Sequence, residues 1–196
     1  MIEAHGREYQ IVEVLTFAAA FSASILLTVW ARCAYKYASR SDRIGIAAVA
    51  VIALAAFFFA GEEISWGQTH IGWGTPEGYR ELAAETNLHN TFIPVHSLGS
   101  AFLVVVFFVL PLVWALGLRR PAGLRIAIAE GPVIFCVACA FLWRETKSFY
   151  RLLHEDYVQR ATYIEFFEQI NEHKELLIAV SLLLYAIFRF RHRFTP

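Results

Sequence analysis

The run Gly61-Glu62-Glu63-Ile64-Ser65-Trp66-Gly67-Gln68 comes directly after an apolar stretch from Ile44 to Ala60, so two adjacent carboxylates stand where a membrane helix would end. A carboxylate at the edge of hydrocarbon is costly unless it carries a proton, meets a cationic partner or binds a metal, which makes the pair a functional candidate. Adjacent helical residues point about 100° apart, so only one of Glu62 and Glu63 readily faces a bundle interior. The sequence does not say which. The competing reading is that both simply lie among lipid headgroups, where charge costs far less than at the bilayer centre.

Two further groups have side chains suited to the same chemistry. Asn87-Leu88-His89-Asn90-Thr91-Phe92-Ile93-Pro94-Val95-His96 leads into the next apolar run. Thr91 is placed to cap that helix and Pro94 to sit in its first turn. His96 then lies near a positive helix end, which favours the neutral imidazole that binds a metal or donates one hydrogen bond. Farther on, Glu165, Glu168 and Glu172, with Gln169 and His173, recur at three- and four-residue steps and form one polar stripe that feeds into the last apolar run.

Carboxylates and imidazoles together suit a divalent metal: zinc, manganese or iron. The expected ligands are Glu62, Glu63, His89, His96, Glu165 and Glu168; Trp66, Gln68, Asn87, Asn90 and His173 are further site candidates. With Glu62 or Glu63 as general base and His96 beside it, such a centre would activate water for hydrolysis of a lipid or another membrane-bound substrate. The spacing matches no ligand signature such as His-Glu-x-x-His or Glu-x-x-His. A non-catalytic membrane subunit, an assembly factor or a ligand- or ion-binding protein would use the same acids in ion pairs that organise helix ends. Noncovalent haem held by a histidine pair is a third alternative.

The elements that must position these residues are five apolar stretches, near 11–31, 44–60, 92–116, 126–143 and 176–190. A spanning helix needs about 20 residues. The last stretch reaches that length if its helix begins upstream, around Thr162. The expected fold is therefore all-α, a single bundle of about five membrane helices with short interfacial helices on the outer side. Thr75-Pro76-Glu77 marks the start of one such helix, and Lys147, Arg151 and Glu155 share a face of another.

The connections sort by charge. Arg32, Lys36, Arg40 and Arg43 oppose only Asp42 between the first two stretches; Arg119, Arg120 and Arg125 lie between the third and fourth; Arg189, Arg191 and Arg193 close the chain. Short basic connections stay cytoplasmic, which places the N-terminus outside and the C-terminus inside. Residues 61–93 hold five acids and only Arg80 as a Lys or Arg, and residues 144–175 hold seven acids and five Lys or Arg. Both should lie outside, gathering the acids and most histidines at one face.

Composition agrees with lipid as the solvent. Of 196 residues 58% are hydrophobic, more apolar surface than one soluble core of that size would bury. Seventeen Phe, five Trp and eight Tyr suit a bilayer protein with aromatic belts. With 17 basic and 17 acidic residues the formal net charge is zero, which gives no field for nucleic acid; the expected partners are the lipid bilayer and other membrane proteins. Cys33, Cys136 and Cys139 are too few for a disulfide framework, and Glu3, Arg7, Glu8 and Glu13 are not the basic start of a cleaved signal.

The block Ala60 to Gln68, with Thr75-Pro76-Glu77 and Asn87-Leu88-His89-Asn90, resembles a widespread group of bacterial multi-pass membrane proteins of uncharacterised activity. The likeness covers about 30 residues and implies an inner-membrane location. Glu62-Glu63 followed by Phe92-x-x-x-His96 is also similar to the CAAX-protease and bacteriocin-processing family of intramembrane glutamate proteases. That resemblance implies a water-activating carboxylate beside a histidine. The chain departs from that pattern twice: Gly67 stands at the arginine position, and no histidine after His96 is followed by Asn or Asp four residues on.

Overall fold

A computed structural model describes residues 2–64, 101–116, 127–153 and 160–194, with side-chain surroundings over a narrower set within them. Every regular element among the described residues is helical. They are α1 (Ile2–Tyr35), α2 (Asp42–Glu63), a π-helical segment (Val105–Val109) running into α3 (Leu110–Ala115), α4 (Gly131–Leu153) and α5 (Arg160–Phe194). Two stretches, Ile11–Tyr35 and Asp42–Glu63, are long and apolar enough to cross a membrane. Less than half of each is buried within the protein. Large apolar side chains fill the outer faces, including Phe21, Ile25 and Val29 on α1 and Val51, Leu54, Phe57 and Phe58 on α2.

The inner faces are lined by small residues. Ala19, Ala20, Ala23 and Ala31 on α1 and Ala53, Ala56 and Ala60 on α2 are all buried, and such small side chains let two helix backbones approach closely. Their turn is fixed by Ser39, whose hydroxyl donates to the Asp42 carboxylate at 2.6 Å, while the Asp42 N–H donates to the Ser39 carbonyl at 3.1 Å. Buried hydroxyls are satisfied inside their own helices. Thr16 donates to the Val12 carbonyl at 2.9 Å and Ser181 to the Leu177 carbonyl at 2.6 Å.

Helix α1 packs on α2 and α5; α5 also packs on α4, and α4 touches the π segment. Ala20 of α1, Ala60 of α2 and Ala179 of α5 share one buried cluster, and Leu27, Ile46 and Tyr185 share the next. Helices α1 and α5 therefore run parallel, with α2 antiparallel to both. The larger cluster also takes in Phe107 of the π segment and Val133 of α4, so one core joins all of these elements.

The third apolar stretch is helical from Ala101 to Ala115 among its described residues, and the fourth begins later than the sequence suggests, its apolar part running Gly131–Leu142. For the fourth the cause is local. The Glu130 carbonyl accepts from Ile134 at 3.1 Å, which makes Glu130 the cap, and Pro132 occupies the first turn, so the helix starts at Gly131 and not near 126. In the third, the Leu110 N–H donates to the Val105 carbonyl, one residue farther back than in an α-helix. Pro111 comes next. It lacks an N–H and its ring would crowd the Phe107 carbonyl in a regular helix, so a widened turn just before it relieves the clash.

The last helix begins at Arg160, close to the expected start near Thr162, and runs unbroken to Phe194. Lys147 and Arg151, expected on a separate interfacial helix, lie instead on the continuation of α4 to Leu153. Glu155 and the expected helix beginning at Pro76 lie outside the described residues.

Candidate functional site

Glu62 and Glu63 occupy the last turn of α2, and Ile64 already leaves helical geometry. That is the negative end of the helix dipole, where a carboxylate is disfavoured, and no basic residue shares the turn. Compensation must come from elsewhere. Because α1 and α5 run antiparallel to α2, the start of α1 and the upstream half of α5 are the described helices that reach this end.

The upstream half of α5 brings Glu172 and Glu175. Carboxylate oxygens of Glu63, Glu172 and Glu175 all lie within 4.8 Å of one another, and none of the three residues is exposed. Lys174 is buried at 9% exposure and sets its ammonium 3.4 Å from Glu175 Oε1. The charges of Lys174 and of Glu13 on α1 also reach Glu63. Glu62 is likewise 9% exposed, yet it is Glu63 whose carboxylate joins the cluster.

The stripe on α5 thus contributes to the site, though through positions later than expected. Glu165 and Glu168 lie near the start of α5, about two turns before Glu172 and Glu175, and their side chains fall outside the described set. His173 is exposed. Trp66, Gln68, Asn87, His89, Asn90 and His96 also lie outside the described residues. Sequence reading named Glu172 only as part of the stripe and passed over Lys174 and Glu175. Their signal was present: both lie one turn or less from Glu172, immediately before the apolar run from Leu176.

A cation coordinated by oxygens at about 2.4 Å has opposite ligands about 4.8 Å apart, so the three carboxylates suit a hard divalent ion of calcium or manganese type.

The other end of α5 carries a second ionic group that sequence reading missed. Arg189 pairs with Glu130 at 3.0 Å, donates to the Ile128 carbonyl, and lies 5.0 Å from the Tyr185 ring centroid. The Tyr185 hydroxyl donates to the Ala127 carbonyl at 3.0 Å, and its ring stands edge-on to Phe107 at 6.1 Å. Glu130 had been absorbed into the fourth apolar stretch; an acid ahead of Gly131-Pro132 was the available sign of a helix start. Comparison with protein-family models, with curated proteins and with solved structures returns no match.

Proposed function

We propose that this chain is a multi-pass protein of the bacterial inner membrane that binds a hard divalent cation at Glu63, Glu172 and Glu175. The observation carrying the proposal is the convergence of three partly enclosed carboxylates from two helices, one of them at the unfavourable end of its own helix. A divalent ion held by the three carboxylates would tie the end of α2 to α5.

In this reading ion binding is the primary activity. A metal-dependent hydrolase acting on lipid would build on the same ion by holding a water beside Glu62. The three carboxylates carry the ion-binding reading by themselves, whereas the hydrolase would also draw on His89 and His96, which lie outside the described residues. The N-terminus outside and C-terminus cytoplasmic remain the proposed orientation, resting on the basic connections.

Calorimetric titration of detergent-purified protein with calcium and, separately, manganese tests the site. One ion per chain is expected for the wild type, with binding lost in a Glu63→Gln, Glu172→Gln double variant. Equal binding by both proteins, or none by the wild type, overturns the proposal. Cysteines introduced at residues 79 and 121 should label from opposite sides of the membrane; labelling from one side would remove the proposed topology.

A further inference from the structure

The turn between α1 and α2 exposes Arg32, Lys36, Arg40 and Arg43, together with Tyr35 and Tyr37. Asp42, the acid among them, is committed to the Ser39 hydroxyl at 2.6 Å. Arg43 is held with its guanidinium 5.2 Å from the Tyr35 ring centroid, so that charge is fixed in place rather than swinging freely. Tyr37 is 85% exposed between Lys36 and Arg40. An aromatic ring so placed gains little from water, whereas Tyr is enriched at the level of lipid headgroups.

The same end of the bundle receives the end of α5, where Arg191 is exposed, because α1 and α5 run parallel. Five exposed cations therefore border the ends of three helices. The carboxylates of Glu63, Glu172 and Glu175 gather at the opposite end. Two of the helices at the basic end carry the apolar membrane-length stretches, which would fix these charges at a constant depth, level with phosphates.

We infer that this basic face binds the phosphates of anionic lipid headgroups, with the tyrosines seated between them. The inference rests on reading Ile11–Tyr35 and Asp42–Glu63 as membrane spans. Anionic lipid is the occupant because the cations are spread along a turn that emerges directly from two apolar helices, and each basic residue near an anionic membrane surface adds about 1 kcal/mol of attraction.

The test reconstitutes the full chain into nanodiscs of phosphatidylcholine with one quarter phosphatidylglycerol, then counts the lipids retained by native mass spectrometry. Resistance to alkaline extraction from phosphatidylcholine vesicles is measured first and reports on the spans alone; extraction there would defeat the membrane reading and this inference with it. Given insertion, the wild type should retain phosphatidylglycerol about tenfold above its bulk share, consistent with a few such contacts. A variant with Arg32→Gln, Lys36→Gln, Arg40→Gln and Arg43→Gln should lose that enrichment while still inserting. Lys36→Gln with Arg40→Gln alone, which leaves the Arg43–Tyr35 contact intact, should lose part of it. Enrichment unchanged in both variants, absent from the wild type, or abolished by millimolar inorganic phosphate would overturn the assignment.

Discussion

The two ends of α5 handle charge in opposite ways. At one end Arg189 has a carboxylate, a backbone carbonyl and an aromatic ring around it, all supplied by the protein. At the other, Glu172 and Glu175 face Glu63 with Lys174 as the described cation among them. The first arrangement joins one cation to one carboxylate between α4 and α5. The second brings three carboxylates from two helices within 4.8 Å of one another. Opposite charges held together make a structural fastening, whereas carboxylates gathered together suit a cation.

The largest expected effect belongs to the fastening. Arg189→Gln removes a guanidinium that ties α5 to the start of α4 in a mostly enclosed place and should destabilise the protein by about 3 kcal/mol. Denaturant titration in detergent measures this, and a loss below about 1 kcal/mol, the scale of an exposed pair, would show that Arg189 is not a fastening. Next comes the ligand end. Calcium at a hundredfold excess over its dissociation constant should stabilise the wild type by about 2.7 kcal/mol, an increment that Glu63→Gln removes. Thermal melts with and without calcium give the comparison, and an equal increment in both proteins would collapse the distinction between the two ends.

A smaller effect tests the role of Lys174. Lys174→Met removes a competing positive charge and should tighten calcium binding by roughly tenfold, since charges a few ångströms apart at an intermediate dielectric interact by a few kcal/mol, partly offset by rearrangement. Weaker binding after this substitution would make Lys174 a support for the site and not a competitor. Smallest is Tyr185→Phe. It keeps the ring against Phe107 and removes the hydroxyl bond to Ala127, which should cost about 1 kcal/mol in the same denaturant titration. A neutral result would leave the fastening resting on Arg189 and Glu130 alone.

The helical nature of the described residues was legible because long apolar runs without alternation read as helices. The first two apolar helices could be read directly from Ile11–Ala31 and Ile44–Ala60. The start of the fourth could not, since Ala127, Ile128 and Ala129 look as helical as the residues of α4 itself; Glu130 ends the ambiguity only once it is seen as a cap. Glu63 was legible as an anomaly of charge against hydropathy. Its partners were harder to find, because periodicity marks the stripe on α5 without saying which turn of that stripe lies level with the end of α2. That level depends on how α1 brings α2 and α5 together, which is set by where Ala20, Ala60 and Ala179 meet.

The widened turn at Val105–Val109 has the effect of one added residue in an otherwise regular helix. Positions after Leu110 are consequently out of phase with those before Val105, and no single repeat describes which side chains of the third apolar segment point inward. Removing one residue there while replacing Pro111 would restore a uniform helix. It would also rotate the residues upstream by about 100° relative to α3, so that Phe107 and Phe108 could not both keep their present neighbours, Tyr185 and Phe141.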